Sequence, residues 1–123
     1  MGIKGTPQMV MKKTMKESDR NQGLNRFMIP DGDRIIKTVL IDSERETVVG
    51  GEVGLEVTVL DRLGRNYEMR FKKWKSGAVV LNGMAWKEFI CNNGWTVGLF
   101  PIELWAFRYG ADRRLGFVPN LIS

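Results

Sequence analysis

Two short stretches of the sequence combine cations with side chains that hydrogen-bond or stack. The first is KESDRNQGLNR, residues 16–26, and the second is FKKWKSG, residues 71–77. Lysine and arginine attract phosphates, whereas arginine, asparagine and glutamine pair with the edges of bases. A tryptophan among three lysines adds a flat apolar face on which a sugar or base stacks. Together the two stretches predict a surface that binds a nucleic acid.

The charge of the chain is distributed in blocks. Its net charge is +5, but residues 12–26 carry five cations against two carboxylates and residues 62–75 carry six against one. Residues 41–56 are the reverse, with five carboxylates against one arginine. Such a polarised surface is the electrostatic footprint of a polyanion partner. Scattered solvated charge, the alternative, explains the clustering less well.

The residue types exclude several kinds of catalytic and metal site. The sequence has no histidine and one cysteine, Cys91, so it lacks Ser-His-Asp and Cys-His nucleophiles and the usual zinc ligands. It has no Walker loop and no dinucleotide-binding fingerprint. Cys91 is predicted to be a partly buried structural thiol. We therefore predict no catalytic residue, no metal and no cofactor, and a protein that is not an enzyme.

Alternation of apolar and polar residues predicts a mostly β domain around the two basic stretches. The segments predicted as strands are MVMKKTMK, LNRFMIP, LEVTVLD, NYEMRFKKW, AVVLN and PIELWAFRY, with the third and fourth forming a hairpin. LGFVPNLI is predicted to be a short edge piece because Pro119 cannot donate to a ladder. Residues 1–10 are predicted to be a flexible leader to a single domain, residues 11–123.

Helices are predicted at two places. NGMAWKEFICNNG has an apolar stripe, with Asn82 as the expected N-cap. DGDRIIKTVLI fits a short helix by spacing and a strand by its β-branched residues, and we favour the helix. SERETVVGGEVG is predicted to be an acidic connection. No apolar run is long enough to cross a membrane.

In order and spacing these segments resemble the plant-specific B-three DNA-binding domain of plant transcription factors. The resemblance lies in SDRNQGLNRFMIP, VLDRLGRNYEMRFKKWKS, VVLNGMAWKEFICNNGWTVG and IELWAFR, over residues 11–109. It implies a seven-stranded open pseudobarrel with two short helices, a nuclear location and double-stranded DNA as partner. It also implies two arms that enter the major groove, at residues 20–26 and 73–77.

Carried over to this chain, the resemblance implies a set of DNA contacts. Those expected to meet phosphates are Lys13, Lys16, Arg70, Lys72, Lys73 and Lys75; those expected to face bases or sugars are Arg20, Asn21, Gln22, Asn25, Arg26, Trp74 and Ser76. Both arms depart from the family pattern. Arg20-Asn21 replaces the usual Val-Gly, and the second arm is shorter. Since the arms hold the base contacts in the family, these changes bear on sequence preference and leave open whether the arms still read bases.

Other interpretations remain open at this point. The same fold with weak or lost DNA binding would act as a protein-interaction module, for which Trp105 and Phe107 are the expected exposed aromatics. A single-strand or RNA binder would stack bases on Trp74. Trp74 also fits a place in the barrel rim, and Asn25 fits a cap on its own loop.

Overall fold

The computed structural model describes residues 3–20, 26–95 and 100–122 of the chain. Its strands are β1 Ile3–Thr14, β2 Arg26–Ile29, β3 Leu55–Leu60, β4 Asn66–Lys73, β5 Val79–Asn82, β6 Pro101–Tyr109 and β7 Arg114–Leu121. Its helices are α1 Glu17–Arg20, α2 Gly32–Thr38, α3 Asp42–Gly50 and α4 Met84–Asn92. Across these three ranges no helix is long and apolar enough to span a bilayer.

The seven strands form one sheet in the order β1-β6-β7-β3-β4-β5-β2. Neighbouring strands are antiparallel except β3 and β7, which pair in parallel through Thr58 opposite Gly116 and Val59 opposite Phe117. The predicted mostly β, seven-stranded open barrel is thereby confirmed.

Side chains bridge the opening between the two edge strands, β1 and β2. Lys13 Nζ of β1 donates to the carbonyl oxygen of Met28 in β2 at 2.7 Å. Arg34 Nη2 of α2 donates to the carbonyl oxygen of Val10 in β1 at 2.6 Å. These long cationic side chains supply hydrogen bonds where the sheet ladder does not continue.

The strands β2, β4 and β5 turn their odd-numbered residues into the core. These buried residues are Phe27, Ile29, Tyr67, Met69, Phe71, Val79 and Leu81. Because successive side chains of a strand point to opposite faces, the even-numbered residues face away from the core. We call this side of β2, β5 and β4, with Arg26, Met28, Arg70, Lys72, Val80 and Asn82, the outer face.

The predicted hairpin of β3 and β4 is confirmed, and Asp61 organises its turn. The buried Asp61 carboxylate accepts hydrogen bonds from the backbone N–H groups of Leu63 and Arg65, each at 3.0 Å. It also accepts from Arg65 Nε at 2.6 Å, Tyr67 OH at 2.8 Å and Asn93 Nδ2 at 3.2 Å. Burial raises the pKa of this carboxyl, but the hydrogen bonds outweigh burial and hold the pKa well below its usual range.

The helix predicted around Trp86 is confirmed as α4, with two corrections. Asn82 is the last residue of β5 and Gly83 occupies the N-cap, because pairing of β5 extends through Asn82. Cys91 is exposed, so it is not the partly buried thiol that was predicted. The Trp86 ring stacks on Phe89 at 5.4 Å between centroids inside the core.

The helix count is the main departure from the predicted fold. Two short helices were expected, whereas the described residues form four, of which α1 has four residues. The predicted acidic connection is in part the helix α3. Glu44 in its first turn accepts from the N–H of Ile41 at 3.0 Å and pairs with Arg108 at 2.6 and 2.8 Å. Val48 alone is buried in this helix, so the ion pair between Glu44 and Arg108 supplies a further contact that holds α3 to the sheet.

Three predictions at the two ends of the chain need correction. Residues 3–10, within the predicted leader, belong to β1 because they pair with β6. Strand β7 is not an edge piece, since it lies between β6 and β3, and its parallel pairing with β3 ends before Pro119. Phe107 is buried rather than exposed, and a Cβ atom on Gly116 would come within 2.4 Å of its ring.

Candidate nucleic-acid interface

The second predicted arm is a tight turn that joins β4 to β5. The N–H of Trp74 donates to the carbonyl of Ala78 at 2.7 Å, and the N–H of Gly77 donates to the carbonyl of Trp74 at 2.9 Å. Gly77 has a φ of 94°, which favours glycine. Lys75 and Ser76 form the exposed tip of this turn. A rigid hairpin therefore presents one ammonium and one hydroxyl to solvent.

Arg26 and Trp74, one from each predicted arm, meet on the outer face. The Cζ atom of Arg26 lies 5.5 Å from the centroid of the Trp74 ring, in cation–π range. Both side chains are half-buried. In the described part of the chain, Nε and Nη1 of Arg26 are buried and have no hydrogen-bond acceptor. Arg26 thus holds two buried donors that are unpaired within the described ranges.

The start of the first predicted arm is fixed by Asp19. Its buried carboxylate accepts from Lys13 Nζ at 3.0 and 3.1 Å, from the N–H of Lys16 at 2.9 Å and from the N–H of Met28 at 3.3 Å. Its carbonyl oxygen accepts from Trp86 Nε1 at 2.6 Å. Asp19 therefore ties β1, α1, β2 and α4 together directly before the arm.

Lys13 is engaged in contacts within the fold and is largely withdrawn from the surface. Its side chain is 8% exposed, pairs with Asp19 and lies 4.5 Å from the centroid of the Phe27 ring. Burial lowers the pKa of this ammonium, and the bond and charge of Asp19 offset only part of that effect. A phosphate contact by Lys13 would require it to leave these partners.

The remaining cations of the predicted site differ in how far they are already engaged. Lys73 Nζ lies 2.9 Å from Asp33 Oδ1, and Arg70 Nη1 lies 3.7 Å from Glu56 Oε2. Lys72 donates to the carbonyl oxygen of Glu52. From the acidic block at residues 41–56, the Glu56 carboxylate and the Glu52 carbonyl oxygen thus contact the second basic block.

The two exposed lysines among the predicted contacts, Lys16 and Lys75, make no ion pair within the ranges that the structure describes. Lys16 lines a cleft of about 270 Å³ with Asp19, Gly77 and Ala78. Residues at the ends of both predicted arms therefore border the same cleft. Asp31 and Asp33 line it too. Four predicted contacts are not placed: Asn21, Gln22 and Asn25 lie outside the described residues, as does the side chain of Arg20.

Comparison with known proteins decides the family. A family model described as "B3 domain-containing protein At2g31720-like" matches residues 2–120. The chain belongs to this family. The family predicted from the sequence is therefore confirmed.

The fold of this B3 domain is shared with a solved structure described as "Arabidopsis FUS3-DNA complex". The two agree with a TM-score of 0.59 at 15% sequence identity, over 94% of this chain and 100% of that chain. A search of curated proteins finds no significant match.

The cross-strand register of the B3 domain adds one residue that sequence analysis missed. Asn82 lies opposite Arg26 of β2 and opposite Arg70 of β4, so the three form one row across the outer face. The sequence holds a weak signal for this position, because Asn82 is the first polar residue after the apolar run AVVL. A helix-capping role was assigned to it instead.

Nothing in the described ranges resembles a metal centre. No group of three or more histidine, cysteine, aspartate or glutamate side chains is placed to hold a metal ion there. The chemistry that the outer face offers is donation of hydrogen bonds, stacking and positive charge.

Proposed function

We propose that this B3 domain binds double-stranded DNA with the outer face and the two loops beside it, as part of a plant transcription regulator in the nucleus. The observation that carries the proposal is the cation–π contact between Arg26 and Trp74, with two guanidinium nitrogens buried and unpaired in the described part of the chain. Buried donors usually have partners, so a site that leaves two of them open is suited to an acceptor-rich ligand.

Two further facts support this function. The chain belongs to the B3 domain-containing family, and its fold is that of a protein solved in an Arabidopsis FUS3-DNA complex. The net charge of +5 favours association with a polyanion.

The proposal divides the site into phosphate and base contacts. Lys16 and Lys75 meet phosphates directly, since they are exposed and hold no ion pair in the described ranges. Three further cations contact phosphates once they release the partners they have within the domain: Arg70, Lys72 and Lys73. The side chains proposed for bases and sugars are Arg20, Asn21, Gln22, Asn25, Arg26, Trp74 and Ser76. Lys13 acts indirectly by holding Asp19.

The alternative function, a protein-interaction module, is weakened because the aromatic residues expected to be exposed are not. Phe107 is buried, and Trp105 is half-buried with its Nε1 3.4 Å from Glu103 Oε1. Neither is the fully exposed aromatic that this alternative expects. We retain DNA binding without catalysis and without a cofactor as the proposed function.

Charge reversal of Lys75 tests the proposal. The Lys75→Glu variant is expected to weaken binding to all duplex sequences alike and to reduce the slope of log affinity against log salt by about 0.9, the value for one lost phosphate contact. Fluorescence anisotropy with labelled duplexes at several salt concentrations measures both quantities. Selection from a random duplex pool measures whether the wild-type domain prefers a sequence.

Lys87→Glu is the matched control. Lys87 is exposed on α4, which packs against the core side of the sheet, so its reversal keeps the same change of net charge away from the outer face. Equal losses of duplex affinity in the Lys75 and Lys87 variants would show that only the net charge matters, which would contradict the proposed site. The proposed function would be refuted if the folded wild-type domain did not bind duplex DNA at low salt, or if it bound single strands more tightly than duplex.

A further inference from the structure

Asn82 is the last residue of β5, the middle strand of the outer face. It lies opposite Arg26 in one direction and Arg70 in the other. Neighbouring strands are about 4.8 Å apart, so the three residues span about 10 Å across the sheet. The major groove of DNA is about 12 Å wide. The spacing between the two arginine-bearing strands is thus close to the width of the groove, and Asn82 lies between them.

Among the described residues, none bonds to the Asn82 amide. Gly83, not Asn82, is the N-cap residue of α4. Within the described ranges the half-buried Asn82 side chain takes part in no hydrogen bond, and its neighbour Arg26 turns to Trp74 instead. The amide therefore keeps both its N–H donors and its carbonyl acceptor available.

The flanking residues suit a base contact more than a phosphate contact at this position. Arg26 and Arg70 on either side supply the positive charge that draws the phosphate backbones close. Asn82 adds no charge but offers one donor and one acceptor together. Adenine presents the complementary pair in the major groove, N6–H₂ and N7, which asparagine pairs with in a bidentate manner.

We propose that Asn82 reads a base edge, adenine by preference, between the two arginines. This inference rests on the proposed function of duplex DNA binding and specifies one position of the recognised sequence. It assigns base recognition to the sheet itself, in addition to the two arms.

The test compares the base preferences of variants selected from one random duplex pool. Asn82→Ala is expected to lose discrimination at a single position of the selected sequence, by about 5- to 140-fold, as for one bidentate pair. The other positions keep their preferences. The salt slope also stays unchanged, because the amide neutralises no phosphate. Arg70→Ala, by contrast, is expected to reduce that slope.

A second variant keeps the test informative if truncation disturbs the sheet. Asn82→Asp has the same shape but only accepts, so its preference is expected to shift from adenine towards cytosine, whose N4–H₂ donates. Asn120→Ala is the matched control, an exposed asparagine of β7 rather than of the three strands of the outer face. It is expected to select the wild-type sequence.

The outcomes separate this inference from the function on which it rests. If wild type selects a sequence and both Asn82 variants select the same one, the base contact is refuted while DNA binding stands. A uniform loss of affinity over all sequences, with preferences intact, refutes it as well. Failure of the folded wild-type domain to bind any duplex refutes the proposed function itself.

Discussion

Replacing Asp61 with alanine is expected to lower the free energy of unfolding by about 3–5 kcal/mol. The substitution removes the acceptor for five hydrogen bonds, including those from the buried Tyr67 hydroxyl and two backbone N–H groups. Urea unfolding at neutral pH measures the loss. Asn120→Ala, at an exposed position of β7, is the control and is expected to change stability by less than about 0.5 kcal/mol. A loss below about 1 kcal/mol for Asp61→Ala would contradict the role of this carboxylate.

The same group makes stability sensitive to acid. Burial raises the pKa of Asp61, but its hydrogen bonds lower it further, so the folded pKa lies below the unfolded value of about 3.9. The contribution of the carboxylate is therefore complete above about pH 4 and is lost as the pH falls towards the folded pKa. The stability gap between wild type and Asp61→Asn is expected to narrow below pH 4. A gap that is constant from pH 7 to pH 3 would contradict this assignment.

Replacing Asp19 with alanine is expected to lower the free energy of unfolding by about 3–5 kcal/mol, because it leaves the ammonium of Lys13 buried without its counter-ion. The side chains of Lys13 and Asp19 are 8% and 0% exposed. Since Asp19 also receives hydrogen bonds from Lys16 and Met28, duplex affinity is expected to fall with stability.

A double-mutant cycle separates the ion pair from the other bonds of Asp19. Lys13→Met removes the buried charge and keeps an apolar chain against Phe27. Adding Asp19→Ala to Lys13→Met is expected to cost clearly less than Asp19→Ala alone, as measured by urea unfolding. Strict additivity of the two losses would show that the pair is not coupled.

Local patterns in the sequence predicted the elements that bear the site. Alternation in NYEMRFKKW fixed which residues of β4 face outward, and the lysines around Trp74 marked the turn that follows. The meeting of Arg26 with Trp74 was not predictable, because it depends on β5 lying between β2 and β4. Asn82 was not among the predicted contacts for the same reason, since its place between Arg26 and Arg70 depends on two other strands.

Other features escaped prediction because they depend on partners far away in the chain. Glu44 and Arg108 are 64 residues apart, and only their pairing marks α3 as a packed helix. Lys13 resembles a surface cation in the sequence, and its burial becomes evident only with Asp19 and the Met28 carbonyl in place. Long-range pairs of this kind leave no periodic signal in the sequence.

The pairing of β1 has a consequence for the order in which the chain folds. In the described ranges its ladder partner is β6, so Lys4 lies opposite Arg108 and Thr14 opposite Pro101. Strands β3, β4 and β5 are by contrast consecutive in both chain and sheet. Closing the long loop to β1 costs more entropy than forming this meander, so we expect the meander to be formed first.

Folding and unfolding rates of two core variants check this expectation. Val57→Ala in β3 is expected to slow folding, whereas Met11→Ala in β1 is expected mainly to speed unfolding. The reverse pattern would place β1 in the folding nucleus. During synthesis, on this expectation, the first strand stays unpaired until the sixth has left the ribosome, and the opening between β1 and β2 is the last part of the domain to close.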